Sequence, residues 1–146
     1  MLRKLLFLCV LLLAVGNLFS DEINTTIEIN GVIVNGGLIY VSVYSNENDY
    51  KADKAFTQFI LQPVNSSLKY SLDLPEGEYL VSAYQDKNGD EKLNSGLFGI
   101  PSEPVGMTNY SLKGVPGGYN KLKVSVNKNS AKLIVNMGRV KALGII

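Results

Sequence analysis

Oxygen-bearing side chains recur through Asp86-Lys87-Asn88-Gly89-Asp90-Glu91-Lys92-Leu93-Asn94, at places 1, 3, 5 and 9 of the run. Such spacing turns several oxygens toward one point, as in loops that curl around calcium, a hard cation taking about six to eight oxygen ligands. Asp86, Asn88, Asp90 and Asn94 would offer side chains, Lys92 its backbone carbonyl, and water the rest. Two positions depart from the helix-flanked form of this loop: Glu91 stands where glycine permits the sharp turn, and Leu97 where a bidentate glutamate closes the shell. Glu103 and Glu91 are the acids a fold could bring back to complete it. Affinity on the order of 0.1 to 1 mM is expected of such an extracellular site. The same residues equally suit a polar turn in which Asp and Asn bond to their own backbone. A third chemistry, glycoside hydrolysis, needs only two carboxylates, for which Asp86, Asp90, Glu91 and Glu103 are available.

What the chain lacks narrows this further. It contains no histidine, the commonest general base, zinc ligand and partner of a catalytic serine. Its single cysteine, Cys9, falls in a stretch laid out as a secretory signal: Arg3 and Lys4, an apolar run from Leu5 to Val15, then small or polar residues to Ser20. The apolar run is too short for a bilayer, which takes about 20 such residues, and Leu8 before Cys9 is too large for a lipoprotein signal. Residues 1–20 are therefore expected to be removed. That leaves 21–146 as one domain in the periplasm or outside the cell, without disulfide, thiol or membrane span. Because Arg3 and Lys4 leave with the signal, the 14 basic residues fall to twelve against 13 acidic ones. That balance is no footprint for nucleic acid. An extracellular or periplasmic protein or polysaccharide is the partner class that remains.

The loop needs a frame, and short alternating runs supply it. Thr25 to Val34 carries Ile27 and Ile29, with Asn30-Gly31 read as a bulge; Asn35-Gly36-Gly37 is a turn into Leu38 to Tyr44, which carries Ile39, Val41 and Val43. Ser45 to Lys54 is polar, a surface loop with a helical turn expected near Tyr50 to Ala55. Strands are predicted for Phe56 to Gln62, Leu68 to Leu74 and Glu78 to Gln85, the last delivering the chain into the acidic loop. Ser95 to Asn120 holds six glycines and three prolines and reads as a long surface excursion. Lys121 to Asn127 and Ala131 to Met137 are expected to form a terminal hairpin. The whole predicts an all-β, antiparallel two-sheet sandwich of about seven strands, immunoglobulin-like or transthyretin-like, with a barrel as the other closure. Tyr40 and Tyr44 share the face opposite Val41 and Val43 and form the first pair to inspect for an exposed aromatic patch.

Three segments also resemble a bacterial family of exported proteins known only as domain of unknown function 2141. They are Leu74-Pro75-Glu76-Gly77-Glu78-Tyr79, the acidic loop, and Gly99-Ile100-Pro101-Ser102-Glu103-Pro104-Val105-Gly106. Their order and spacing resemble the family over about Leu74 to Gly106, and the flanking strands loosely; Glu91 replaces its usual glycine and Asn94 its frequent aspartate. The resemblance implies export and a β-sandwich, brings no activity, and raises Glu103 as a partner of the loop. The expected function is a non-enzymatic exported binding or structural module with a calcium-ordered loop. The alternatives are a carboxylate-dependent hydrolase of an extracellular polymer, or a carrier of a small apolar ligand held between the sheets.

Overall fold

Alternation at a period of two turns one side of each strand inward, and the computed structural model, which describes residues 21–141, carries eight strands built this way. They are β1 (Glu22–Asn30), β2 (Ile39–Tyr44), β3 (Thr57–Leu61), β4 (Ser67–Pro75), β5 (Gly77–Gln85), β6 (Val105–Met107), β7 (Val124–Val126) and β8 (Lys132–Asn136). The expected signal segment lies outside the described residues. Among the described residues no helix is long and apolar enough to cross a membrane.

Two sheets share one core. In the first, of order β4-β1-β8, β1 is the centre; the second runs β3-β2-β5-β6, with β7 also pairing β5. Ile27, Ile29, Leu74, Leu133 and Val135 of the first sheet pack with Ile39, Val41, Val43, Val81 and Ala83 of the second. One open side between the sheets is closed by Phe59 of β3 stacked on Tyr70 of β4, ring centroids 4.0 Å apart.

Three expectations about the frame are corrected. The sandwich is not wholly antiparallel, because β8 lies parallel to β1, from Thr26↔Lys132 to Asn30↔Asn136. Nor do the last two strands form a ladder with each other. Asn127 and Ser130 close a tight turn, but β7 goes to β5 in the second sheet and β8 crosses to β1 in the first. Alternation specifies which face is buried and leaves the partner open; beside β1, Leu133 and Val135 become fully buried. The proposed bulge at Asn30-Gly31 is instead the end of β1, with Gly31 at positive φ (76°).

The helical turn expected near Tyr50 to Ala55 starts earlier, as α1 (Glu47–Lys51), because Asn46 accepts the Asp49 N–H at 2.9 Å and caps it. The long excursion is more ordered than its glycines suggest. It supplies β6 and then α2 (Tyr119–Leu122), which takes the first residues of the strand expected from Lys121. Tyr119 and Leu122 pack with Tyr44, Leu80 and Tyr110 as a second apolar cluster on the outer face of the second sheet. The Tyr40/Tyr44 expectation is corrected with it: Tyr44 is buried there, donating to Asp53 at 2.6 Å, while Tyr40 stacks on Tyr84 across the β2–β5 register, centroids 5.0 Å apart.

Candidate functional site

The acidic loop leaves the end of β5, where period-two phase turns Tyr79, Val81, Ala83 and Gln85 inward. An amide in that apolar phase must find partners. The Gln85 side chain donates to the carbonyls of Ile33 (2.7 Å) and Gly37 (3.1 Å) and accepts the Ile33 N–H (3.0 Å), tying the β1–β2 connection to the base of the loop. Gly37 (φ 100°) is required at that junction, since a methyl group there would collide with the Asp86 carbonyl.

Asp86 is 3% exposed and Glu103 4%, and a buried carboxylate is tolerated only when hydrogen bonds replace its water. Both carboxylates find backbone N–H groups of the loop. Asp86 Oδ1 accepts from Gly89 and Oδ2 from Glu91, both at 2.8 Å. Glu103 Oε1 accepts from Lys87 at 2.8 Å and Oε2 from Asn94 at 3.1 Å, so one acid clasps both ends of the loop. On the outer rim Asn88 accepts the Asp90 N–H (3.2 Å), Asp90 accepts the Lys92 N–H (3.0 Å), and the Asn94 amide bridges the two, donating to Asp90 (2.9 Å) and accepting from Asn88 (2.7 Å). Bonding by the Asn94 amide, first, and by the Lys92 N–H holds the Asp90 carboxyl below its ordinary value.

All six sequence-predicted residues thus stand on one short segment and its clasp. Asp86, Asn88, Asp90, Asn94 and Glu103 are joined through their side chains, and Lys92 through its N–H. Their oxygens face N–H donors, which is the arrangement of a self-bonded turn. Among the described residues no group of three or more Asp, Glu, His or Cys side chains is placed to hold a metal ion. The Glu91 substitution has a local reading too, because its φ of 62° is a left-handed conformation that glycine adopts freely and a β-carbon resists.

After Asn94 the chain doubles back: Ser95 bridges Pro101, Gly96 donates to Ile100 (2.8 Å), and Ser102 donates to Asn94 (2.9 Å). This return brings Glu103 under the loop. It also sets Leu93, Ile100 and Pro101 beside Ser82, Tyr84 and Met107 on the outer face of the second sheet, opposite Val115 and Val140. The result is a groove of about 560 Å³ whose lining contains no charged residue. Tyr84 joins loop to groove, its ring on the floor and its hydroxyl donating to the Glu91 carbonyl at 3.1 Å. Burial, first, and then the neighbouring Tyr40 and acids raise the Tyr84 phenol above its ordinary value.

The three resembling segments therefore make one construction. In the first, Tyr79 donates back to the Pro75 carbonyl at 2.8 Å and sets the β4–β5 turn; the second is the loop; the third is its return and its clasp. A family model for uncharacterised proteins conserved in bacteria (DUF2141) matches residues 27–134. The chain belongs to DUF2141. No curated protein and no solved structure matches it. The DUF2141 match takes in every strand except β1's first residues and the end of β8. What sequence reasoning missed in this member is the groove. The only signal was isolated apolar residues, Leu93, Ile100 and Val115, in segments otherwise rich in glycine, proline and polar groups.

Proposed function

We propose that this DUF2141 chain is an exported, non-catalytic binding module whose binding surface is the apolar groove, the acidic loop being the buttress of one wall. The observation that carries the reading is the groove itself: about 560 Å³, lined without a charge, and within the range of small-ligand sites. The wall stands because Asp86 and Glu103 hold backbone N–H groups, a use of these carboxylates that accounts for their burial without acid–base chemistry. The frame is read as a sandwich of the immunoglobulin or transthyretin kind, with the parallel β1–β8 pair as its departure. Export rests on the layout of residues 1–20. The alternatives narrow accordingly: a carrier between the sheets gives way to a site on the outside of one sheet. A hydrolase would have to work with Asp86 and Glu91, which line a separate hollow of about 320 Å³ beside Tyr40, where the Asp86 oxygens are taken by N–H groups.

An uncharged fluorescent apolar probe such as Nile red tests this. Its emission should rise on adding the protein and fall back in Val115→Asp, whose position is exposed and carries little folding risk. Emission that ignores the substitution would remove the groove from the reading.

Calcium is the second reading of the same loop, and what favours it is that Asp86, Asn88, Asp90, Asn94 and Glu103 do come together in one network. To hold the ion, those residues would exchange N–H partners for it, and the metal would supply added order to the loop. A cation that binds only the folded state raises the melting temperature by mass action. Melts in millimolar calcium and in chelator should then differ, and coincident melts eliminate calcium.

A further inference from the structure

Polar groups on the groove and cations beside it narrow the ligand. The Tyr84 hydroxyl donates to the Glu91 carbonyl and the Tyr110 hydroxyl to the Gly114 carbonyl, so both rings offer their carbon surface without an unmet donor. Val115 is 92% exposed at the edge, and a large apolar side chain left that open marks a contact surface when it adjoins a concave apolar lining. Val115 and Val140 each lie next in chain to a paired segment in which Lys113 bridges Lys141 side by side, held by the Gly114 N–H on the Lys141 carbonyl at 2.9 Å and the Lys141 N–H on the Leu112 carbonyl at 2.8 Å. Both lysines are exposed, and neither belongs to any of the five ion pairs among the described residues. Two like charges set side by side without a carboxylate are mutually repulsive and are complementary to an anion.

Resting on the groove reading above, we infer that the ligand is a single free amphiphile with an aliphatic chain and an anionic head, a long-chain carboxylate, its chain along Tyr84 and Val115 and its head at Lys113 and Lys141. The groove wall provides burial for the chain, and the lysine pair provides discrimination between heads.

Isothermal titration with dodecanoate, kept below its micelle concentration, and with dodecanol separates the two parts. Dodecanoate should bind one to one and more tightly than dodecanol. Lys113→Glu with Lys141→Glu should weaken dodecanoate about tenfold, the scale of two exposed charge pairs, and leave dodecanol unchanged, while Val115→Asp should weaken both. Equal binding of acid and alcohol, indifferent to the lysines, overturns the anionic head and leaves the groove standing. No binding of either overturns both. Two further controls bear on the occupant. Binding seen only after deletion of 142–146, Ala-Leu-Gly-Ile-Ile, would make that segment the natural occupant. Binding only to anionic phosphatidylglycerol vesicles, and not to the free acid, would make it a membrane surface. Either result overturns the free-carboxylate inference.

Discussion

The outer face of β5 is treated in two ways along its length. At one end Leu80 is fully buried beneath Tyr44, Tyr110, Tyr119 and Leu122, so this part of the strand is covered on both sides. At the other end Ser82 and Tyr84 carry no such cover and form the floor of the groove, between walls that come from loops. The strand and its sheet are the same; the difference is that α2 folds back over one half while the acidic loop stands at the edge of the other. Chain laid over a sheet makes core, and chain held upright beside it makes a site. Holding a loop upright takes fixed bonds at its base, which is where the two buried carboxylates are.

The comparison can be broken most directly at its covered end. Leu80→Ala should cost about 3 kcal/mol in denaturant unfolding, as for a fully buried leucine whose cavity cannot collapse, whereas Tyr84→Ala should cost well under half of that and remove ligand binding. Equal losses would mean that the two halves are not different in kind. Next is the base of the loop. Asp86→Asn exchanges an oxygen for an amide facing the Glu91 or Gly89 N–H and should destabilise by about 2 kcal/mol. Amide exchange should quicken at Gly89 and Glu91 while staying slow in β2. Exchange unchanged at those two amides would show that the carboxylate is not what holds the wall.

Glu91→Gly should act in the opposite sense, raising stability by about 1 kcal/mol through relief of its left-handed backbone, with the melting temperature as readout. A fall would place the Glu91 side chain in a role its backbone does not suggest. Smallest at ordinary pH is the contribution of Tyr44. Burial, and then the hydrogen bond to Asp53, push its phenol from 10.0 up to about 12. Because the fold favours the neutral form, this stability is complete below pH 10 and is lost as pH rises from 10 through 12. Alkaline melts should therefore fall across that window, and Tyr44→Phe should flatten the fall.

Much of the frame was legible because Ile27, Ile29, Val41, Val43, Val81 and Val135 obey a simple period and end up in one core. Partners were less legible, since period two says which side of β8 is buried and is silent on whether β1 or β7 lies beside it. Tyr44 and Leu122 defeated the alternation for another reason: both belong to a second cluster whose members are far apart in the chain, and nothing local marks them as covered. The acidic loop was readable as a unit, and the resemblance pointed to Glu103 as its partner, but as a metal ligand and not as the acceptor of the Lys87 and Asn94 N–H groups. Its buried partner Gln85 lay in the inward phase of β5 with nothing local to mark it. The groove was hardest, because its walls combine residues from three loops that share no period.

The placement of β1 has a consequence in time. It is the first described strand and the centre of its sheet, yet one of its neighbours is β8, so that Asn30 bonds to Asn136 over a separation of 106 residues. Contacts that span so much chain carry a large closure entropy and form late. A chain still emerging would hold β1 with β4 alone, one side of its ladder open, until Leu133 and Val135 arrive to complete the core. Folding should therefore be slow and nearly all-or-none, with refolding rates sensitive to Leu133→Ala only if β8 docks in the rate-limiting step.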